Sequence, residues 1–167
     1  MSIQYSHKGF TLIEMVIVVV ILAVITVFAA PRFFNLQNDA RSAVLHGLKA
    51  AMETAAAQVY GKSVVQGVDA EVLGKINVDG HQITTVYGYP LSQFKGVWGV
   101  LLQGSFGEVP EVNPSDYEWM WHNPDAGKGL YFMPRHYSNK SQGCYIKYVA
   151  PVDAGHEYTL ELVSDGC

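Results

Sequence analysis

The chain has 167 residues, of which 16% are charged and 49% hydrophobic, with a formal net charge of −4. This length holds one domain with a core and is short for two. The sequence has no block of Lys or Arg of the kind that binds nucleic acid, and no nucleophile elbow, HExxH, P-loop or dinucleotide fingerprint, so neither a nucleic-acid binder nor a motif-bearing enzyme is expected.

Residues 1–9, MSIQYSHKG, are polar and carry one fixed positive charge, Lys8. From Phe10 to Ala30 the chain is apolar, and its only ionisable residue is Glu14. As a helix these 21 residues measure about 32 Å, enough to cross a hydrocarbon core of ~30 Å. Lys8 before the run and Arg32 after it give a weak topological signal that favours a cytoplasmic N-terminus. Three readings compete. A cleaved secretory signal could use Ala29 and Ala30 as small residues, but Pro31 follows them, the run is long, and Glu14 interrupts it. A plain membrane anchor explains the length and not the acid, which costs on the order of 2–3 kcal/mol at a helix centre and less near the interface.

The third reading accounts for all of these features. The stretch KGFTLIEMVIVVVILAVI resembles the type IV prepilin signature: Lys8, then Gly9, Phe10, Thr11, Leu12, Ile13 and Glu14, followed by an apolar helix. The resemblance implies cleavage of the Gly9–Phe10 bond by a membrane aspartyl peptidase on the cytoplasmic face. The same enzyme then methylates the new amine of Phe10. Gly9, lacking a Cβ, lets a peptidase approach the backbone closely. Glu14 becomes the fifth residue of the mature chain, and its implied partner is the amine of Phe10 on an adjacent subunit. A matched pair in an apolar bundle costs less than either charge alone, and it fixes register. The rival role is neutralisation of the amine of its own chain.

Pro31 ordinarily breaks or kinks a helix. Helical periodicity nevertheless resumes at once. Phe33, Leu36, Ala40, Val44, Leu48, Ala51, Ala55 and Val59 recur at three- and four-residue steps, with Asn38, Ser42, His46, Lys49 and Glu53 on the opposite side. The pattern predicts one helix from Phe10 to about Tyr60, kinked near Pro31, with Gly61 as its stop and Gly47 as a second weak point. The pieces Ala30-Pro31-Arg32-Phe33, Asn35-Leu36-Gln37, Asp39-Ala40-Arg41 and Val59-Tyr60-Gly61-Lys62-Ser63 are similar to the mannose-sensitive haemagglutinin (MSHA) pilins.

After Gly61 the helical period is lost. Lys75–Asp79 and His81–Tyr87 flank Asp79-Gly80, a hairpin turn signal. Leu91–Leu102 reads as a short helix weakened by Gly96 and Gly99. Tyr117–Trp121, Leu130–Met133, Tyr145–Val149 and Tyr158–Val163 read as strands, the last two as a terminal hairpin. Cys144 and Cys167 are the only cysteines, and an even pair in an exported domain reads as one disulfide that brackets this hairpin; two free thiols in a cytosolic protein is the other reading. Tyr117, Trp119, Trp121 and His122 invite a sugar-stacking hypothesis. Strand alternation instead sends both tryptophans into a core. His81, His136 and His156 are isolated, and Glu161 with Asp165 makes at most a scattered acidic pair.

The expected class is α+β, with a long N-terminal helix on a four- or five-stranded antiparallel sheet. Its expected parts are a leader 1–9, a membrane or filament-core half 10–31, an amphipathic half 32–60 and a globular head 61–167. The resemblance implies a structural subunit of a type IV pilus, used for attachment or motility. Its implied partners are other pilin subunits, the prepilin peptidase-methyltransferase, an inner-membrane platform with its ATPase, membrane lipid before assembly, and the surface the filament meets. No cofactor, metal or nucleic acid is implied. The implied location is the bacterial inner membrane with a periplasmic head, then the extracellular filament. A pseudopilin of a type II secretion system shares the signature, and a membrane-anchored periplasmic enzyme or binding domain is the alternative from another class.

Overall fold

The computed structural model describes residues 9–124 and 129–167, without the side chains of residues 29–35 and 114. The leader with Lys8 lies outside the described residues. Among the described residues, one long helix, α1, runs Leu12–Gln66 and is followed by eight strands and a few short helical turns. The chain divides into two compact units, Met1–Asp39 and Ala40–Cys167.

In the first unit, helix α1 starts with a capping box. Thr11 is the N-cap and Glu14 sits three residues on. The Thr11 N–H and hydroxyl donate to Glu14 Oε2 at 2.9 and 2.8 Å, and the Glu14 N–H lies 3.3 Å from Thr11 Oγ1. The box satisfies two helix-end donors reciprocally. Helix is assigned without interruption through position 31. The kink expected there falls among residues whose side chains are not described. Among the described residues no helix is long and apolar enough to cross a membrane. Helical residues with described side chains run from 12 to 28 in this part of the chain, about 26 Å at the usual rise.

In the second unit, helix α1 continues past the stop expected at Gly61 and ends at Gly67, where φ is +70°. Two backbone bonds explain the difference. The Gly67 N–H reaches the Val64 carbonyl at 3.1 Å and the Val68 N–H reaches the Ser63 carbonyl at 3.0 Å, which is the Schellman closure. Gly61 lies mid-helix with no neighbour near its missing Cβ, and costs about 1 kcal/mol relative to Ala.

Strands β1 (Gly74–Val78), β2 (His81–Val86) and β3 (Tyr89–Pro90) form one antiparallel sheet. Its two hairpins each turn on two residues, Asp79-Gly80 and Tyr87-Gly88, all four at positive φ. Paired positive φ values match the twist of the flanking strands. Strands β4 (Phe106–Glu108), β5 (Trp119–His122), β6 (Leu130–Pro134), β7 (Tyr145–Val149) and β8 (Thr159–Val163) form a second sheet in that order. Four of these strands and the terminal β7–β8 hairpin follow the sequence pattern. β3 and β4 do not, being too short to show a period, and β4 pairs parallel to β5 in an otherwise antiparallel sheet. The expected helix at 91–102 is broken. Lys95 and Gly96 leave helical geometry, and only Gly99–Leu101 makes a regular turn.

The core lies where one face of α1 meets these sheets. Leu45, Leu48, Met52, Ala55, Ala56 and Val59 pack with Ile76, Ile83, Trp98, Trp121, Leu130, Phe132, Ile146 and Tyr148. Each fully buried large side chain contributes about 1.5–3 kcal/mol over its exposed state. The stripe read from the sequence is buried at Leu48, Ala55 and Val59, but elsewhere the core takes Leu45, Met52 and Ala56 instead. Leu45 and Met52 are fully buried, whereas Val44 is 53% exposed and Leu36 62% exposed; Ala40 and Ala51 are exposed too.

Candidate functional site

Three features stand out: the start of α1, the pinned C-terminal loop, and the uncovered apolar surface. From Phe10 to Phe28, fifteen large apolar side chains are between 49% and 83% exposed. Left in water, such a surface forfeits on the order of 20–40 kcal/mol of transfer free energy. The segment therefore needs an apolar environment, either lipid or other helices. Glu14 is exposed in the midst of this surface, with its carboxylate held by Thr11. A capped carboxylate is aimed back towards the residues just before the helix, which include Gly9 and Phe10. The sequence signal for this cap, Thr-x-x-Glu ahead of an apolar run, is present at 11–14.

The C-terminal loop is fastened by covalent and polar bonds. Cys144 and Cys167 form a disulfide with Cα atoms 4.9 Å apart. The Cys167 carbonyl accepts from Arg41 Nη1 at 2.9 Å and from the Tyr137 hydroxyl at 2.9 Å. Gly166 donates to the Gly143 carbonyl at 2.9 Å, and its backbone lies against Gln142 so closely that a Cβ would collide with the Gln142 carbonyl. The bridge thus ties the end of β8 to the start of β7, and Arg41 ties both to α1.

The aromatic cluster belongs to the core. Trp121 stacks on Phe94 with centroids 4.6 Å apart, and Trp119 is half-buried against the same cluster. Met120, on the other face of β5, is buried as well. That second face is covered, since Tyr131 and Met133 share a small cavity with Ser138, Asn139 and Lys140. His122 Nδ1 faces the Val109 carbonyl at 3.3 Å, and His156 contacts Asp153. Among the described residues, no group of three or more His, Cys, Asp and Glu side chains is placed to hold a metal. A larger cavity, about 310 Å³, is lined by Tyr60, Tyr87 and Tyr89 with Asp69, His156 and Glu157. Burial first, and the Glu157 carboxylate second, push the Tyr89 phenol above its ordinary value.

Comparison with known proteins bears on the first of these features. The prokaryotic N-terminal methylation motif matches residues 5–30. The chain is 44% identical over 48 residues to the type IV narrow pilus major component PilA5 of Thermus thermophilus. That match covers 29% of this chain and 41% of the relative, so the chain spans less than half of that protein's length. No solved structure matches. The methylation motif thus takes in Gly9, Phe10 and the capped Glu14 at the head of an apolar helix, and over part of its length the chain is similar to a type IV pilus component.

Proposed function

We propose that this chain is a structural subunit of a type IV pilus, of the mannose-sensitive haemagglutinin kind, and that its filament serves surface attachment or motility. The observation that carries this reading is Glu14, a single capped carboxylate in a helical stretch, 12–28, that has no other charged residue. In the precursor, residues 10–30 span the inner membrane with the leader in the cytoplasm. The peptidase cuts after Gly9 and methylates the Phe10 amine. The platform and its ATPase then draw the subunit out of the bilayer. The helix exchanges lipid for the helices of other subunits, and neither environment exposes its apolar surface to water.

Glu14 has two successive roles in this scheme. Before cleavage the Thr11 N–H and hydroxyl satisfy its carboxylate. After cleavage the ammonium of a neighbouring Phe10 becomes its partner and sets the axial offset of the helices. Two substitutions separate these roles. Glu14→Gln keeps a side chain able to complete a capping box and removes the charge. Glu14→Ala removes both. If the charge sets register, both variants lose filaments alike, while the precursor is inserted and cut normally. Filament formation by Glu14→Gln at the wild-type level would reduce Glu14 to a helix cap. The cleavage itself is read by mass spectrometry of sheared filaments, where the chain begins at a methylated Phe10. A native polypeptide that retains residues 1–9, or a Gly9→Leu variant that still forms filaments, would refute the scheme.

A further inference from the structure

Among the described residues, one apolar stretch of the second unit is left exposed, with Val44 53% exposed. Ala40 and Val44, on the helix stripe next to the core face, form the floor of a groove of about 280 Å³ together with Pro134. Its rim carries Arg41, Arg135 and Glu118, an excess of positive charge. Both arginines are already oriented by backbone carbonyls. Arg41 donates to the Cys167 carbonyl and Arg135 Nε donates to the Tyr117 carbonyl at 3.0 Å. The far end of the same helix presents the opposite chemistry. Just beyond the Gly67 stop, residues 69–73 read Asp-Ala-Glu-Val-Leu, with two carboxylates and no cation. Val72 is 61% exposed and Leu73 64% exposed. The loop is held by backbone bonds, with the Glu71 N–H on the Val68 carbonyl and the Glu71 carbonyl accepting from Tyr87. The acidic apolar loop is therefore fixed in place and outward-facing.

We propose that the groove at Ala40, Val44 and Pro134 receives the 69–73 loop of a second copy of this chain, with Val72 and Leu73 on the apolar floor and Glu71 against Arg135. Charge and apolarity match between the two surfaces, which lie at opposite ends of one helix segment. From Val44 to Gln66 is about 33 Å at 1.5 Å per residue. Two copies joined in this way are displaced along the helix axis by about that distance. The contact is head-to-tail, joining two different surfaces, so each copy leaves one surface free and the contact propagates as an open filament. This inference rests on the filament reading above, and adds a contact between heads to the one between N-terminal helices.

The test uses the full-length chain in cells that assemble it. Arg135→Glu and Glu71→Arg each place like charges in the contact, which opposes docking. Each is expected to lower sheared filament yield by about tenfold or more, with cellular subunit level and the Cys144–Cys167 bridge unchanged. The double variant restores the opposite charges and is expected to recover filaments. Single losses without recovery in the double variant overturn the contact and leave the filament reading standing. So do single variants that assemble normally, including any that assemble yet lose another protein from the filament, which would give the groove to a different partner. A wild-type chain absent from sheared filaments overturns both readings.

Discussion

Removing the disulfide tests what holds the C-terminal loop. The perturbation is Cys144→Ala with Cys167→Ala. The bridge joins residues 23 apart in sequence, and loop-closure entropy for that separation is worth about 3 kcal/mol. Two other restraints remain in the variant. The β7–β8 ladder still pairs Tyr145 with Val163, and the Arg41 and Tyr137 bonds to the Cys167 carbonyl remain available, at about 0.5–1.5 kcal/mol each. The expected loss is therefore about 3 kcal/mol, or roughly 10 °C in Tm for a head of this size. The assay is denaturant unfolding of the full chain in micelles followed by tryptophan fluorescence. Trp98, Trp119 and Trp121 all belong to the head cluster, so the signal reports the head alone. Amide exchange at residues 164–167 adds a local reading, with protection lost there first. A stability loss below about 1 kcal/mol, with protection retained at Gly166, would show that the ladder and the Arg41 bond hold the loop and the bridge adds little.

Gly166→Ala should be nearly as damaging as loss of the bridge, because the added Cβ meets the Gln142 carbonyl, a backbone atom that cannot step aside; a fall of at least about 2 kcal/mol in the same unfolding assay is expected. Tyr148→Phe removes the buried hydroxyl that donates to the Pro90 carbonyl at 2.7 Å, and should cost about 1–2 kcal/mol by stranding that acceptor. Burial also holds the Tyr148 phenol well above its ordinary value of 10.0 in the folded chain. The folded state then keeps a proton that the unfolded state releases, so stability is full below pH 10 and falls as pH rises above it, by up to about 1.4 kcal/mol per pH unit for this group. Urea midpoints between pH 9 and 11 should fall for the wild type, and Tyr148→Phe should flatten that fall. Leu45→Ala and Val44→Ala differ by one position and should behave oppositely. The first empties a fully buried site at a cost of about 2–5 kcal/mol. The second touches a half-exposed site and should stay within about 0.5 kcal/mol in the unassembled chain, while still lowering filament yield.

The start of α1 was legible because its signals are local. A run of apolar residues, one acid at a fixed place and a small residue before it all sit within residues 9–30. The hairpin at Asp79-Gly80 was legible for the same reason. The helix stop was not, because Gly61 and Gly67 are equally good stops as residues. What selects Gly67 is the Val68 N–H reaching back to the Ser63 carbonyl, with the buried Ser63 hydroxyl within 3.0 Å of the Gly88 carbonyl in a distant turn. The buried face of the helix was read correctly at Leu48, Ala55 and Val59 and missed at Leu45, Met52 and Ala56, for a physical reason. The stripe through Ala40, Val44 and Ala51 and the stripe through Leu45, Met52 and Ala56 are adjacent, both apolar and both of helical period. Periodicity finds the pair and cannot say which one the sheets cover. β3 is too short to show a period, and the parallel β4–β5 contact depends on where the irregular segment 91–105 places the chain, which no short-range pattern encodes.

That adjacency also bears on function. A helix that had only to complete a core would need one apolar stripe, and the head of this chain closes its core with the stripe beginning at Leu45. The neighbouring stripe is then surplus to folding, yet it carries no charge at Ala40, Val44 or Ala51, where a surface exposed to water would gain solubility from Lys or Glu at no cost in core packing. The same holds with more force from Phe10 to Phe28, where every face lacks a charge except at Glu14. A chain selected only to fold would not keep both surfaces apolar, since each adds a liability to aggregation and nothing to stability. Their retention on one helix is what an assembly requires when the same element must build a head and also meet its neighbours.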